Sequence, residues 1–316
     1  MISCPLCSAV EIRSFSAIPH DVSGYDALLS IKQCLSCALA WQHPRYRTAD
    51  ESVRSQQDRY AEQEKGSYYD PEKRRATVAT EVSFVETLFD APGSLLDIGA
   101  GDGTFIVQAA SRGWKCIGVD PAASQDAHLP MSGTGTCKLV KGTLADLDPT
   151  QRFDAVTFWD VIEHLDDPES VLRAAVLFLK ENGILIIETG NYQSIDRVMS
   201  GPDWWAYAAD HRWYFAPPTV RQLLIRVGLG HVALGSKVLR PWWRGQHSYA
   251  GPSLLRTLKR LVRSPLSAAT TIGQYTQLKK AAVDWKQWAG LGIIAMAASR
   301  YPMRDRKRGT ELIALG

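Results

Sequence analysis

The stretch LLDIGAGDGTF, residues 95–105, constrains this chain more than any other. An apolar run leads into Asp97 and then into three glycines at alternate positions, Gly99, Gly101 and Gly103. Such a run, followed by a glycine-rich turn, reads as a buried parallel strand feeding a helix. Turns of this kind receive nucleotides. The dinucleotide fingerprint spaces its glycines G-x-G-x-x-G, so that a helix N-terminus faces a pyrophosphate. Here the third glycine comes one residue early, and Asp97 stands two residues before the first. A carboxylate at that place repels a phosphate and suits a cation.

The flanking sequence repeats the same unit. Asp70-Pro71 opens a helix, with Asp as N-cap and Pro in the first turn. Val78, Val82, Val85 and Phe89 then follow at helical spacing, and Pro92-Gly93 ends the run. Strands are expected at 94–98, 114–119, 137–140, 153–159 and 184–188. One helix runs from Gly103 to near Gly113, and another from Asp167-Pro168 to Asn182-Gly183. This alternation implies an α/β fold, a parallel sheet with helices on both faces. Residues 46–69 are polar and read as a linker, and 310–315 read as the last strand of the sheet.

A second nucleotide signal is Asp120, in GVDP, at the end of the second strand. An acid there can accept both hydroxyls of a ribose. A ribose acceptor beside a cation-tolerant turn fits a positively charged nucleoside without phosphate, and S-adenosylmethionine is one. Asp97 would face its ammonium, while Gly99 and Gly101 let the backbone approach closely.

LLDIGAGDGTF, GVDP and FDAVTFWDVIEHLDDP (153–168) resemble, in order and spacing, the motifs of class I S-adenosylmethionine-dependent methyltransferases. The branch that holds ubiquinone-type O-methyltransferases and sugar methyltransferases looks most similar, and many of its members begin with a Cys4 zinc module. The resemblance covers residues 1–45 and 70–239. It implies a Rossmann-like, mostly parallel seven-stranded sheet whose last strand is antiparallel. It also implies that Asp97, Gly99 and Gly101 hold the methionine part of the cofactor and Asp120 the ribose. Thr143 and Leu144 stand where the family has an acid and a hydrophobe near adenine, so Thr143 is a departure. Trp159 and Asp160 would line the methionine end.

Methyl transfer to a hydroxyl or carbon acid needs a positioned nucleophile and a group that removes its proton. Two histidines qualify. His164 follows the fourth strand, at the carboxyl ends of the strands where ligands bind. His211, in AADHRWYF, stands where members of the resembling family often place a histidine. Position does not choose between them. Residues 190–216 are dense in aromatics and read as a lid, with Trp204, Trp205, Tyr207, Trp213 and Tyr214 either as walls of an acceptor pocket or as core beneath it.

The cysteines divide in two. Cys4 and Cys7, then Cys34 and Cys37, form two C-x2-C pairs, the spacing of a closed and therefore structural Cys4 zinc site. Cys116 and Cys137 lie in apolar runs and read as buried hydrophobes. The domain plan is thus a zinc-ribbon-like module at 1–45, a linker and N-terminal helices at 46–90, and a cofactor-binding core at 91–239. A basic helical insertion at 240–309 and a final strand at 310–316 complete it.

Net charge is only +3, but residues 240–309 hold fourteen Lys/Arg against Asp284 and Asp305. Three readings of that stretch compete, in this order: a solvated basic face, a contact with an anionic membrane surface or lipid-linked substrate, and nucleic acid. Nothing near Met1 reads as a signal peptide and no apolar run reaches about 18 residues, so a cytoplasmic protein is expected, at most peripheral at the inner face of the membrane. The favoured function is O- or C-methylation of a sugar or other small molecule, nucleotide- or lipid-linked included, in glycan or natural-product assembly. An RNA methyltransferase and a non-catalytic cofactor-binding scaffold are the alternatives.

Overall fold

The computed structural model describes residues 2–19, 28–64, 71–123, 127–128, 133–237 and 292–298. Near the N-terminus, β1 (Ile12–Ala17), β2 (Leu29–Cys34) and β3 (Ala40–Gln42) pair antiparallel. Helices α1 (Ala49–Glu64) and α2 (Pro71–Glu86) lead to β4 (Ser94–Ile98), α3 (Thr104–Ser111) and β5 (Lys115–Asp120). The short β6 (Ala127–His128), β7 (Thr136–Lys141), β8 (Phe153–Trp159), α4 (Pro168–Val176) and β9 (Leu179–Gly190) come next. After α5 (Ile195–Ser200) come β10 (Trp213–Tyr214), α6 (Pro217–Arg226), β11 (His231–Lys237) and β12 (Gly292–Ala298).

The main sheet has the order β11-β12-β9-β8-β4-β5-β7-β6. Neighbours among β7, β5, β4, β8 and β9 run parallel, and β12 lies antiparallel between β9 and β11. This is the Rossmann-like arrangement expected. The chain winds outward one way from β4 through β5 to β7, then the other way from β8 to β9, so the crevice of such a sheet opens at the carboxyl ends of β4 and β8. Alternate residues feed two cores. Leu95, Ala155 and Ile186 face Val78, Val82 and Val85 of α2 and Ile106 of α3. Leu96, Val156 and Leu185 face Leu172 of α4 and Leu223 and Leu224 of α6. Cys116 and Cys137 are buried in the sheet, as read.

Two expectations need correction, and a third point is decided between its alternatives. Strand β12, Gly292–Ala298, lies within the stretch read as a helical insertion and is hydrogen-bonded to β9 on one side and β11 on the other, the position expected of 310–315. The stretch 240–309 is therefore not wholly a helical insertion. A strand buried on both faces is a continuous apolar run, and Ile293 to Ala298 are all buried, so periodicity had no polar face to reveal it. Residues 238–291 and 299–316, with the basic stretch and the 310–316 strand, lie outside the described residues.

The supposed linker at 46–69 contains α1. A capping box starts it: the Thr48 backbone N–H donates to Glu51 Oε2 at 2.8 Å, and the Glu51 N–H donates to Thr48 Oγ1 at 3.3 Å. The cap was there to be read, but the helix after it is polar on most sides and lacks an apolar stripe.

The sequence leaves the aromatic stretch open to both readings, pocket wall and core. Strand β10 pairs with β3, Trp213 opposite Trp41 and Tyr214 opposite Ala40, so the N-terminal sheet is completed by residues from the far side of the core. Trp204, Tyr207 and Tyr214 are buried between the two with Ala17, Leu29 and Ile31. They are core, not walls of an open pocket. Trp205 and Trp213 stay half-buried.

Candidate active site

The glycine turn after β4 is left-handed at all three glycines, with φ of 73° at Gly99, 57° at Gly101 and 79° at Gly103. A Cβ on Gly99 would come within 2.5 Å of Val161 Cγ2. The turn therefore tolerates no side chain at Gly99, both for its backbone angle and for its neighbour.

Asp97, the last but one residue of β4, is almost fully buried, and Thr157 on the adjacent β8 donates its hydroxyl to Asp97 Oδ1 at 2.7 Å. Burial pushes the Asp97 carboxyl up to about 8. The Thr157 hydroxyl and the charge of Arg74 act against that rise, while Glu81 and Asp120 add to it. A buried carboxyl of this kind gains its charge most readily when a cation arrives.

Asp120 ends β5 and is also buried. Its two oxygens accept from Gly101 N at 2.8 Å and Ala122 N at 2.7 Å, which ties the second strand's acid to the glycine turn. Burial raises this carboxyl too, against the N–H groups of Ala122, Gly101 and Ala123.

After β7, Thr143 is exposed and caps a single helical turn: Ala145 N donates to its Oγ1 at 3.3 Å. Asp146 Oδ2 accepts from Thr143 N at 2.8 Å and hangs over Gly142, where a Cβ would lie 2.4 Å from it. The carboxylate missing at 143 is thus present three residues on, in the same turn. Leu144 is half-buried against the core. Trp159 at the end of β8 lies 5.3 Å from the Phe105 ring, and Asp160 is exposed with φ of 54°, an uncommon angle for a residue with a side chain.

The two histidines meet. Their rings stand edge to face with centroids 4.5 Å apart. His164 Nδ1 lies 3.2 Å from the carbonyl oxygen of Asp210 and 3.7 Å from its carboxylate. A carbonyl only accepts, so this contact places the proton of a neutral His164 on Nδ1 and the lone pair on Nε2. Beside them Glu163 is buried, with Thr189 Oγ1 donating to its Oε2 at 2.9 Å. Burial pushes the Glu163 carboxyl well up, and Asp160 and Glu188 push it further. Ligand atoms of Glu163, His164 and His211 all lie within 4.8 Å of one another, near enough to share a proton or a cation.

At the N-terminus, Cys4 Sγ and Cys37 Sγ are 3.6 Å apart, and Cys7 Sγ and Cys34 Sγ 3.5 Å. A tetrahedral zinc with bonds of about 2.3 Å separates its sulfurs by about 3.8 Å. All four thiols are free of disulfides and within 4.8 Å of one another, so the donor set and its spacing fit the metal. Residues Ser8 and Ala38, each just after the second cysteine of a pair, share a left-handed backbone with φ of 62° and 67°. The two knuckles therefore have matching turns.

Sequence reasoning singled out Asp97, Asp120, His164, His211 and the four cysteines, and the structure brings each set together. It missed Thr157, Asp210 and Gln42. Thr157 was findable, since it is the register partner of Asp97 on the next strand. The others depend on contacts between distant segments.

Residues 71–234 match the methyltransferase-domain family. The chain belongs to that family, in its class I S-adenosylmethionine-dependent form. It is 30% identical over 151 residues to the ubiquinone biosynthesis O-methyltransferase of Rhodopseudomonas palustris strain HaA2, covering 43% of this chain and 57% of that protein. To the protein of the same name in Bradyrhizobium diazoefficiens it is 29% identical over 127 residues, 38% of this chain and 50% of the other. The chain thus spans about half the length of the curated relatives it matches. Among solved structures, the 1,6-didemethyltoxoflavin-N1-methyltransferase of Burkholderia thailandensis aligns with a TM-score of 0.48 at 18% identity, covering 69% of this chain and 92% of that one. No helix among the described residues is long and apolar enough to cross a membrane.

Proposed function

We propose that the protein transfers a methyl group from S-adenosylmethionine to a hydroxyl or an acidic carbon of a small-molecule acceptor. One observation carries the reading: two buried carboxyls, Asp97 and Asp120, flank a left-handed glycine turn at the switch point of the sheet, with no phosphate-type glycine spacing. When bound, the cofactor supplies a methyl carbon already activated by its sulfonium. The residues bind and orient. Asp97, Gly99 and Gly101 hold the methionine end, with Trp159 and Asp160 beside it. Asp120 takes the ribose hydroxyls, and Leu144 with the Thr143–Asp146 turn faces the adenine.

On the acceptor side, His164 takes the proton of the nucleophile at Nε2, with His211 against its ring. Half-buried Trp205 and Trp213 supply apolar surface for an acceptor ring. The relatives' O-methylation in ubiquinone biosynthesis supports a hydroxyl as acceptor, and a sugar, nucleotide- or lipid-linked, is the form we favour. Zinc in the Cys4 set is structural: all four positions are thiols, with none left for water.

The test is incubation with methyl-labelled cofactor and a panel of polyprenylated phenols, nucleotide sugars, lipid-linked sugars and RNA. Label in a hydroxyl-bearing small molecule is expected, and label in RNA alone would overturn the reading.

A further inference from the structure

The N-terminal module reaches across to the acceptor side. Gln42, the last residue of β3, is 4% exposed and bridges to the loop that carries Asp210 and His211. Its backbone N–H donates to the Arg212 carbonyl at 3.0 Å. Its side-chain Nε2 donates to the Ala208 carbonyl at 2.9 Å and lies 3.4 Å from both the Ala209 carbonyl and the Tyr214 hydroxyl. Its Oε1 accepts from Tyr46 N at 3.0 Å. These partners fix which way the amide points, because a backbone N–H must meet oxygen and carbonyls must meet the NH2.

The loop so held is a tight turn over 208–211. The His211 N–H donates to the same Ala208 carbonyl at 3.1 Å, and the Asp210 carbonyl is the atom that receives His164 Nδ1. On the other side of the turn, the N–H groups of Arg212 and Trp213 donate to the Glu163 carbonyl at 2.8 and 3.2 Å, which joins the turn to the histidine's own segment. Arg45, three residues past Gln42, meets Arg212 on the Asp166 carboxylate. Gln42 therefore grips both ends of the one turn that sets where Asp210 and His211 stand.

We infer that Gln42 is a positioning residue: from the N-terminal module it holds the 208–211 turn, and through the Asp210 carbonyl it fixes the Nδ1–H form of His164. The inference rests on the reading of His164 as the base, but its core claim concerns the state of a side chain and is testable apart from turnover. Removing a buried amide takes a donor from both the Ala208 and Ala209 carbonyls and leaves the His211 N–H as the donor to Ala208, so the turn loses the bonds that tie it to β3.

The experiment uses the full chain labelled with 15N-histidine. Long-range 1H–15N spectra distinguish the two ring tautomers, and His164→Asn identifies the His164 signals. Gln42→Met keeps the volume and removes the donors, and Gln42→Glu keeps the shape and the Oε1 acceptor but removes the donors facing Ala208 and Ala209. In the unsubstituted protein His164 is expected in the Nδ1–H form. In both variants that form falls at least twofold in population, while the affinity for S-adenosylhomocysteine stays within about twofold, showing that the core remains folded. An unchanged His164 spectrum in folded Gln42→Met and Gln42→Glu overturns the inference, as does a mixed tautomer in the unsubstituted protein. Should His164→Asn retain methyl transfer, the base assignment fails while the spectra still decide the role of Gln42.

Discussion

The two sides of the crevice are built in opposite ways. The proposed cofactor side comes from short contiguous motifs: Asp97 and the three glycines lie within seven residues, and Asp120 ends the next strand to pair with β4. The proposed acceptor side is assembled from distant pieces. Glu163 and His164 follow β8, Thr189 is on β9, Asp210 and His211 sit in a turn before β10, and Gln42 reaches them from the N-terminal sheet. A site made of neighbouring residues can be kept while the rest of the chain varies. A site made of four segments changes whenever any of them shifts.

Substitutions on the two sides should separate cleanly. The largest effect is expected from His164→Asn, which removes the proposed base: turnover of a hydroxyl acceptor should fall about 10²–10⁴-fold while S-adenosylhomocysteine affinity, read by calorimetry, stays within about twofold. Equal losses in turnover and affinity would erase the division between the sides.

Asp97→Asn should do the converse, lowering S-adenosylmethionine affinity about 10–100-fold, the size of a lost charge-assisted contact. The same change should raise the melting temperature of the cofactor-free protein. Asp97 has its folded-state pKa raised to about 8 from 3.8. Between those values the unfolded chain has released a proton that the folded chain keeps, so stability falls as pH rises from about 4 to about 8 and then levels. Asparagine removes that slope, and melting curves across the window measure it.

Gly99→Ala meets both a positive φ and Val161, and should destabilise the protein by about 2 kcal/mol in urea titrations. Thr157→Val is expected to be mildest. It removes the hydroxyl that favours the charged form of Asp97, and should weaken the cofactor by about 1 kcal/mol with turnover at saturation unchanged.

The same contrast explains what could be read from the sequence. The parallel core was legible because each strand is an apolar run ended by a glycine, a proline or an acid. Strand β8 fell on the residues expected, Phe153–Trp159. The last strand is not legible, because Ile293 to Ala298 are all buried, which leaves no polar face for periodicity to reveal. Whether the aromatic stretch forms pocket wall or core is not legible, because composition gives ring content and not what lies opposite. Here the rings of Trp204, Tyr207 and Tyr214 face Leu29 and Ile31 of the N-terminal sheet. Each histidine is legible singly, but their ring contact and the Asp210 carbonyl at His164 Nδ1 involve a turn that Gln42 hydrogen-bonds from a distant strand, and no local pattern announces that.

The central claim is that a buried carboxyl at the end of β4 selects a positively charged nucleoside. It is tested most directly by calorimetry of S-adenosylmethionine binding near pH 7 in two buffers of different ionisation enthalpy. If Asp97 holds its proton until the cation arrives, binding should release close to one proton in the unsubstituted protein and close to none in Asp97→Asn, and a nicotinamide dinucleotide should not bind. Tight uptake of the dinucleotide, or cofactor binding that is unchanged in strength and proton release by Asp97→Asn, would contradict the account.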